Sequence, residues 1–224
     1  MIMNSEENIK IAEVYFNRGN AKIDVCDFIG AIVEFTKAIE ENEELAEAYF
    51  NRGLAKSNLL DYLGAISDFD KGIEIEPKTA ESYYNRGLSK GNLHDYNGAI
   101  IDFTTAIALK PNYANAYDNR AMAKSAIQDY DGSIEDSTKA IEINPADSDA
   151  YYNRGKTYCN IENYTEAMED FTSAIRKNSK FAAAYLIRGI VNLMLEQNKQ
   201  GLLDFYKAKF YGESDADRLI KKYC

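Results

Sequence analysis

Between Ala65 and Ile73, the residues Ala65, Ile66, Phe69, Gly72 and Ile73 fall at i, i+1, i+4, i+7 and i+8, with polar residues between them. That spacing puts them on one face of an α-helix. An acid or amide followed by an aromatic opens this helix and its counterparts: Asp27-Phe28, Asp61-Tyr62, Asp95-Tyr96, Asp129-Tyr130 and Asn163-Tyr164. Such residues cap helix N-termini by accepting backbone N–H groups. All three prolines, Pro77, Pro111 and Pro145, stand at one place after such a helix, where each ends it and sets up a turn.

A second pattern precedes each of these helices. Ala46-Glu-Ala-Tyr-Phe-Asn-Arg-Gly53 returns as Ala80-Glu-Ser-Tyr-Tyr-Asn-Arg-Gly87, Ala114-Asn-Ala-Tyr-Asp-Asn-Arg-Ala121 and Ser148-Asp-Ala-Tyr-Tyr-Asn-Arg-Gly155. An earlier copy is Ala12-Glu-Val-Tyr-Phe-Asn-Arg-Gly19, and a worn one is Ala182-Ala-Ala-Tyr-Leu-Ile-Arg-Gly189. The starts at 12, 46, 80, 114, 148 and 182 are 34 residues apart every time. A fixed period of this length is the mark of a repeat architecture, each unit being a helix, a turn, a second helix and a turn.

Glycine at 19, 53, 87, 155 and 189 falls inside the first helix, where it costs about 1 kcal/mol relative to alanine. The recurrence predicts a close approach of two backbones. Ala121 keeps the sixth such site small, and Ala31, Ala65, Ala99, Ser133, Ala167 and Gly201 are the expected small partners on the second helices. The tyrosines at 15, 49, 83, 117, 151 and 185 read as interhelical packing residues, which accounts for much of the chain's 17 tyrosines.

Small-x-x-Tyr-x-Asn-Arg-Gly, then Asp-Tyr-x-Gly-Ala-Ile, Phe, Ala-Ile and Pro at period 34 resembles the tetratricopeptide repeat, over about nine tenths of the chain. The resemblance implies an all-α fold: a right-handed superhelical solenoid of six helix-turn-helix units with a C-terminal capping helix. The units run 12–45, 46–79, 80–113, 114–147, 148–181 and 182–215, making one domain over 12–215. Residues 1–11 extend the first helix, with Ser5, Glu6 and Glu7 at its start. Residues 216–224 form the cap, opened by Ser214-Asp215, with Leu219 and Ile220 covering the last unit.

Two departures from the family pattern recur. Arginine stands before the glycine, where leucine is usual, and Lys22, Lys56, Lys90 and Lys124 stand where tyrosine is common. Each arginine has an acid sixteen residues later: Arg18 with Glu34, Arg52 with Asp68, Arg86 with Asp102, Arg120 with Asp136, Arg154 with Asp170 and Arg188 with Asp204. Helix-to-helix ion pairs are therefore expected. Breaking one costs about 3 kcal/mol if it is partly buried and under about 1 if exposed.

In the tetratricopeptide family the first helices line a concave surface, and places two, five, six, nine, twelve and thirteen of each unit point inward. Place six carries Asn17, Asn51, Asn85, Asn119 and Asn153, broken by Ile187. An amide both donates and accepts, so a row of them can hold the peptide groups of an extended chain. Such a row resembles the asparagine ladders of O-linked N-acetylglucosamine transferase and importin-type solenoids. Place five carries Phe16, Phe50, Tyr84, Asp118, Tyr152 and Leu186, whose rings offer apolar contact or pack against the neighbouring unit. Place two, with Glu47 and Glu81 among Glu13, Asn115 and Asp149, makes an acidic margin that also suits a helix N-terminus. The expected ligand is an extended protein or peptide segment of basic or mixed basic and aromatic character. Chaperone-binding relatives clamp a carboxylate with cations, but here Phe16, Glu81 and Asn85 occupy those places.

The net charge of −10, from 26 basic and 36 acidic residues, argues against nucleic acid and anionic membrane as partners. Cys26, Cys159 and Cys224 are far apart and form no CxxC pair, which reads as reduced thiols. Met1 to Lys10 is polar, without a signal segment, so the cytoplasm is the expected location. His94 is the only histidine; no metal cluster, phosphate loop or nucleophile–base set can be assembled around it, so neither cofactor nor catalysis is expected. The sixth unit gains Ile187, Ile190, Leu193 and Met194, an apolar patch that either seats the terminal helix or forms a homodimer contact. Three functions follow: a scaffold binding an extended peptide in its groove, a self-associating structural module, or the targeting subunit of a separate enzyme.

Overall fold

The computed structural model describes residues 6–223, which form thirteen α-helices and, among these described residues, no strand. Ser5, expected at the start of the first helix, and Cys224, read as a reduced thiol, lie outside the described residues. The chain divides into two compact units, Met1–Pro111 and Asn112–Cys224. The first holds α1 (Glu6–Asp24), α2 (Phe28–Glu41), α3 (Ala46–Asn58), α4 (Tyr62–Ile75), α5 (Ala80–Asn92) and α6 (Tyr96–Leu109). The second holds α7 (Ala114–Ala126), α8 (Tyr130–Ile143), α9 (Ser148–Asn160), α10 (Tyr164–Lys177), α11 (Ala182–Met194), α12 (Asn198–Phe210) and α13 (Asp215–Tyr223). In each unit, successive helices pack as antiparallel hairpins, and first helices of neighbouring repeats also touch: α1 with α3, α3 with α5, α7 with α9. The terminal α13 packs on α12 and buries Ala216.

Three residues suffice to turn from first to second helix, because one of them serves both. After α3, Leu60 adopts a left-handed conformation (φ 64°), its N–H donates to Ser57, and Asp61 N–H donates to Lys56. This is the paired C-terminal bond pattern of a Schellman motif. The Asp61 side chain then accepts from Gly64 N–H and caps α4. Cys26, His94, Gln128, Glu162 and Glu196 repeat the left-handed turn. Asp27, Asp95 and Asp129 repeat the cap, whereas Asn163, followed by Glu166 instead of glycine, makes no side-chain cap bond. At the other turn, α4, α6 and α8 each end two residues before Pro77, Pro111 and Pro145.

In five of the six hairpins the buried layer is organised around one phenylalanine of the second helix. Phe35, Phe69, Phe103, Phe171 and Phe205 are fully or almost fully buried. This corrects the expectation for the first-helix glycines. A β-carbon on Gly87 would fall 2.8 Å from the Phe103 ring, so the glycine makes room for a ring rather than for the backbone beside Ala99. Gly19, Gly53 and Gly155 face Phe35, Phe69 and Phe171 in the same way. Only in the sixth repeat do backbones also meet: a β-carbon on Gly201 would lie 2.8 Å from the Gly189 carbonyl oxygen. The fourth repeat shows the rule by exception, with Ala121 in place of the glycine and Ser137 in place of the ring.

Both family departures share one explanation. Arg52 grips Asp68 with two parallel bonds, Nε to Oδ2 at 2.9 Å and Nη2 to Oδ1 at 2.7 Å, and Lys56 Nζ adds a contact at 2.8 Å. Arg86–Asp102–Lys90 and Arg120–Asp136–Lys124 repeat the triad. In the fifth and sixth repeats Arg154 and Arg188 grip Asp170 and Asp204, and Asn192 replaces the lysine on Asp204. These acids sit inside the apolar stripe of the second helix, 1–4% exposed, so bidentate pairing is what makes their burial tolerable. The remaining nitrogen of four of these arginines reaches back one repeat: Arg52 to Thr36, Arg86 to Asp70, Arg154 to Thr138, Arg188 to Thr172. Each guanidinium also stands 5.4–6.0 Å from the ring centre of the tyrosine three residues earlier, as Arg86 does over Tyr83. The first repeat departs: Glu34 accepts from Lys37, not Arg18, and its second oxygen is buried without a hydrogen-bond partner.

Candidate functional site

The inward places predicted from the repeat converge in each unit. In the first, Phe16 and Phe50 (place five), Glu47 and Glu81 (place two), Asn51 and Asn85 (place six) and Leu54 (place nine) line a groove of about 430 Å³. Its floor includes Phe69, and Glu76, Thr79 and Ser82 complete its wall. An adjoining recess of about 270 Å³ shares Leu54 and Asn85 and adds Ser57, Asn58, Tyr62, Leu88, Ser89 and Asn92. A recess of about 260 Å³ in the second unit uses equivalent places, with Met122, Ser125, Ser133, Asn153, Lys156, Thr157 and Asn160.

Phe50 owes its position to a single small residue. Gly72 lies directly under its ring, where the other second helices carry alanine, so Phe50 leans onto α4 and forms one wall of the groove. The other place-five rings pack on second-helix phenylalanines: Phe16 on Phe35 at 5.8 Å, Tyr84 on Phe103 at 5.8 Å and Tyr152 on Phe171 at 5.9 Å; Tyr152 also meets Phe181, at the start of α11, at 4.9 Å. Phe16 thus serves both core packing and groove lining.

The asparagine row is not uniform. Asn51 Nδ2 donates to Asn20 Oδ1 at 2.8 Å, Asn119 Nδ2 to the Asn115 carbonyl at 2.8 Å, and Asn153 Nδ2 to Asp118 Oδ2 at 3.0 Å. Each therefore spends at least one of its amide hydrogens within the chain. Asn51, Asn85 and Asn153 line grooves, and Asn17 is exposed on α1. On the acidic margin, Glu81 is paired with Lys110 Nζ at 2.7 Å, which holds its carboxyl below the usual glutamate value.

Sequence reasoning missed Glu76 and Thr79, which reach the groove from the end of α4 and the turn after it. Because they lie outside the first helix, no inward place of that helix points to them. It also left Asp118 as a mere gap in the ring row. That carboxyl is 9% exposed, and burial pushes it up to about 6. The Asn153 bond and Lys156 oppose that rise, and Asp147 and Asp149 add to it.

No group of three or more His, Cys, Asp or Glu among the described residues is placed to hold a metal ion. Burial raises the Cys159 thiol to about 11, so it is a packing residue and not a ready nucleophile. No helix among the described residues is long and apolar enough to cross a membrane.

A stack of helical hairpins with amide- and ring-lined grooves defines the class: a helical-repeat scaffold for protein–protein interaction. Two models of the tetratricopeptide repeat match the sequence, one at 46–79, 80–113 and 114–147, the other at 138–169. The chain belongs to the tetratricopeptide-repeat family. No curated protein matches it in sequence. Among solved structures, a MamA protein is similar with a TM-score of 0.71 at 27% identity, over 78% of this chain and 95% of that one. YrrB, described as a TPR protein with an unusual peptide-binding site, has a TM-score of 0.67 at 23% identity, over 85% of this chain and 98% of that one. PilF of Pseudomonas aeruginosa has a TM-score of 0.80 at 14% identity, over 98% and 100%. At such identities the last two share the fold alone.

Proposed function

We propose that this chain is a scaffold that holds an extended peptide segment across its first helices, with no chemistry of its own. The observation that carries the reading is the convergence of Asn51 and Asn85 with Phe16, Phe50, Glu47 and Glu81 in one groove. Amides grip the ligand backbone, rings take its apolar side chains, and the carboxylates of Glu47, Glu76 and Glu81 favour a basic or mixed basic and aromatic segment. A similar fold in a protein described as having a peptide-binding site is in keeping with this. The test is affinity for peptides selected on the wild-type chain. Asn51→Ala with Asn85→Ala weakens binding by roughly 1–3 kcal/mol per lost buried bond; unchanged affinity removes the amides from the reading.

A second reading, self-association through the last repeat, has its own support. Leu203, Tyr206 and Phe210 stand exposed along α12, Phe210 at 78%. The apolar residues expected to form the patch divide differently: Ile187 joins the core around Phe171, Leu193 packs towards Gly201, and Met194 is exposed. Light scattering separates the readings, because a dimer made this way reverts to monomer in Phe210→Glu.

A further inference from the structure

The fourth repeat breaks the pattern of its siblings at three places at once. Where they carry an apolar or aromatic side chain at place five (a ring in four of them, Leu186 in the sixth), a glycine on the first helix and a phenylalanine on the second, it carries Asp118, Ala121 and Ser137. The buried Asp118 carboxylate receives one neutral hydrogen bond, from Asn153 to Oδ2, and its Oδ1 is buried with no hydrogen-bond partner. The charged groups facing it are Asp147 and Asp149, which oppose its ionisation, and Lys156, which favours it. Lys156 instead holds its ammonium 5.3 Å from the centre of the Tyr152 ring. A buried carboxylate beside two further acids, with one neutral donor and an unused oxygen, is complementary to a cation that this chain does not itself supply.

Asn153 links this carboxylate to the recess of the second unit. Asp118 lies one helical turn before Met122 on α7, and Met122 and Asn153 both line that recess. Asn153 therefore stands between the ligand space and the carboxylate, with its amide nitrogen on Oδ2.

We propose that the fourth repeat is a specificity subsite for one basic side chain of the bound segment, Asp118 accepting its ammonium or guanidinium and Asp147 and Asp149 drawing it in. The incoming cation takes the place of the Asn153 amide on Oδ2 and satisfies Oδ1, and the released amide turns to the ligand backbone. This rests on the peptide-scaffold reading and adds to it which ligand charge is read and where. An arginine or lysine at one fixed position is required, whereas the more open carboxylates of the first groove favour basic character without fixing its position.

The probe is a displayed library of random dodecapeptides panned on the full chain, followed by the best peptide and a copy whose arginine is replaced by citrulline, or whose lysine is replaced by acetyl-lysine. Selected sequences share one basic position. The charged peptide binds about 30-fold better than the neutral copy, the lower range of what removing one partner of a buried charge pair costs. Most of that preference persists at high salt, unlike a general attraction to an acidic protein. Asp118→Asn, isosteric and relieved of a buried charge, keeps the fold, brings the preference below about threefold, and leaves affinity for the neutral copy within threefold. A preference unchanged in Asp118→Asn, or selected peptides without a fixed basic position, overturns the subsite and spares the groove. Failure of every peptide to bind overturns both.

Discussion

The third and fourth repeats are built on the same skeleton and differ in what they put beside it. Both close the first turn with a left-handed residue, His94 or Gln128, and both cap the second helix with an aspartate on a glycine N–H. Both hold a buried acid between an arginine and a lysine: Asp102 with Arg86 and Lys90, Asp136 with Arg120 and Lys124. Their inner layers have nothing in common. The third stacks Tyr84 on Phe103 over Gly87, and the fourth has Asp118, Ser137 and Ala121, all buried, at the equivalent places. The ion triad and the turn therefore specify the hairpin, while the ring layer is an independent module that the fourth repeat exchanges for polar groups at a cost in stability.

The largest effect comes from removing the ring. Phe103→Ala is expected to cost about 4 kcal/mol by chemical denaturation, as a buried phenylalanine truncated beside a glycine leaves a cavity. Ser137→Ala costs far less, since Ser137 Oγ is buried without a hydrogen-bond partner. Equal losses would mean that the two repeats do not differ as described. Next is the shared triad: Arg86→Met and Arg120→Met are each expected to cost about 3 kcal/mol in thermal melts, because each strands a buried aspartate with a lysine alone. No change in either melt would make these pairs ornamental.

The fourth repeat alone gains from Asp118→Asn. The folded chain binds this proton more tightly than the unfolded one, since the carboxyl rises from 3.8 to about 6. Its contribution is therefore most favourable below pH 3.8, is lost as pH rises towards 6, and stays lost above. The variant is expected to be roughly 2–3 kcal/mol more stable than wild type at pH 7.5. That gain shrinks as pH falls from 6 to 4, read as Tm against pH. A gain that does not depend on pH would assign the effect to packing. The smallest effect is at the turn. Gln128→Gly relieves a left-handed side chain and should add roughly 0.5–1 kcal/mol. His94→Gly adds less, because it also loses the 2.8 Å contact between His94 Nδ1 and the Tyr96 hydroxyl.

Much of this was legible beforehand because repetition averages out local ambiguity. A stripe such as Ala65–Ile73 is a weak helix signal by itself, and six copies in phase make it a strong one. The arginine–acid spacing was visible for the same reason, and it holds in the second to sixth repeats. It fails in the first, where Glu34 has Lys37 one helical turn away. Of the candidate site, the shared groove of Phe16, Phe50, Asn51 and Asn85 was legible because these residues stand at the places that the family resemblance points to. Which amides turn back on their own chain was not, since the partners of Asn51 and Asn153 lie 31 and 35 residues away.

By itself the sequence determined the period and where the second helices start and stop, which follow from short-range periodicity, caps and prolines. Tertiary structure alone decided what each glycine makes room for, why lysine accompanies arginine, and which carboxylate is left half-satisfied. These depend on distances between helices, and the difference between a methyl and a ring at Ala121 or Phe103 acts only once two helices are brought together.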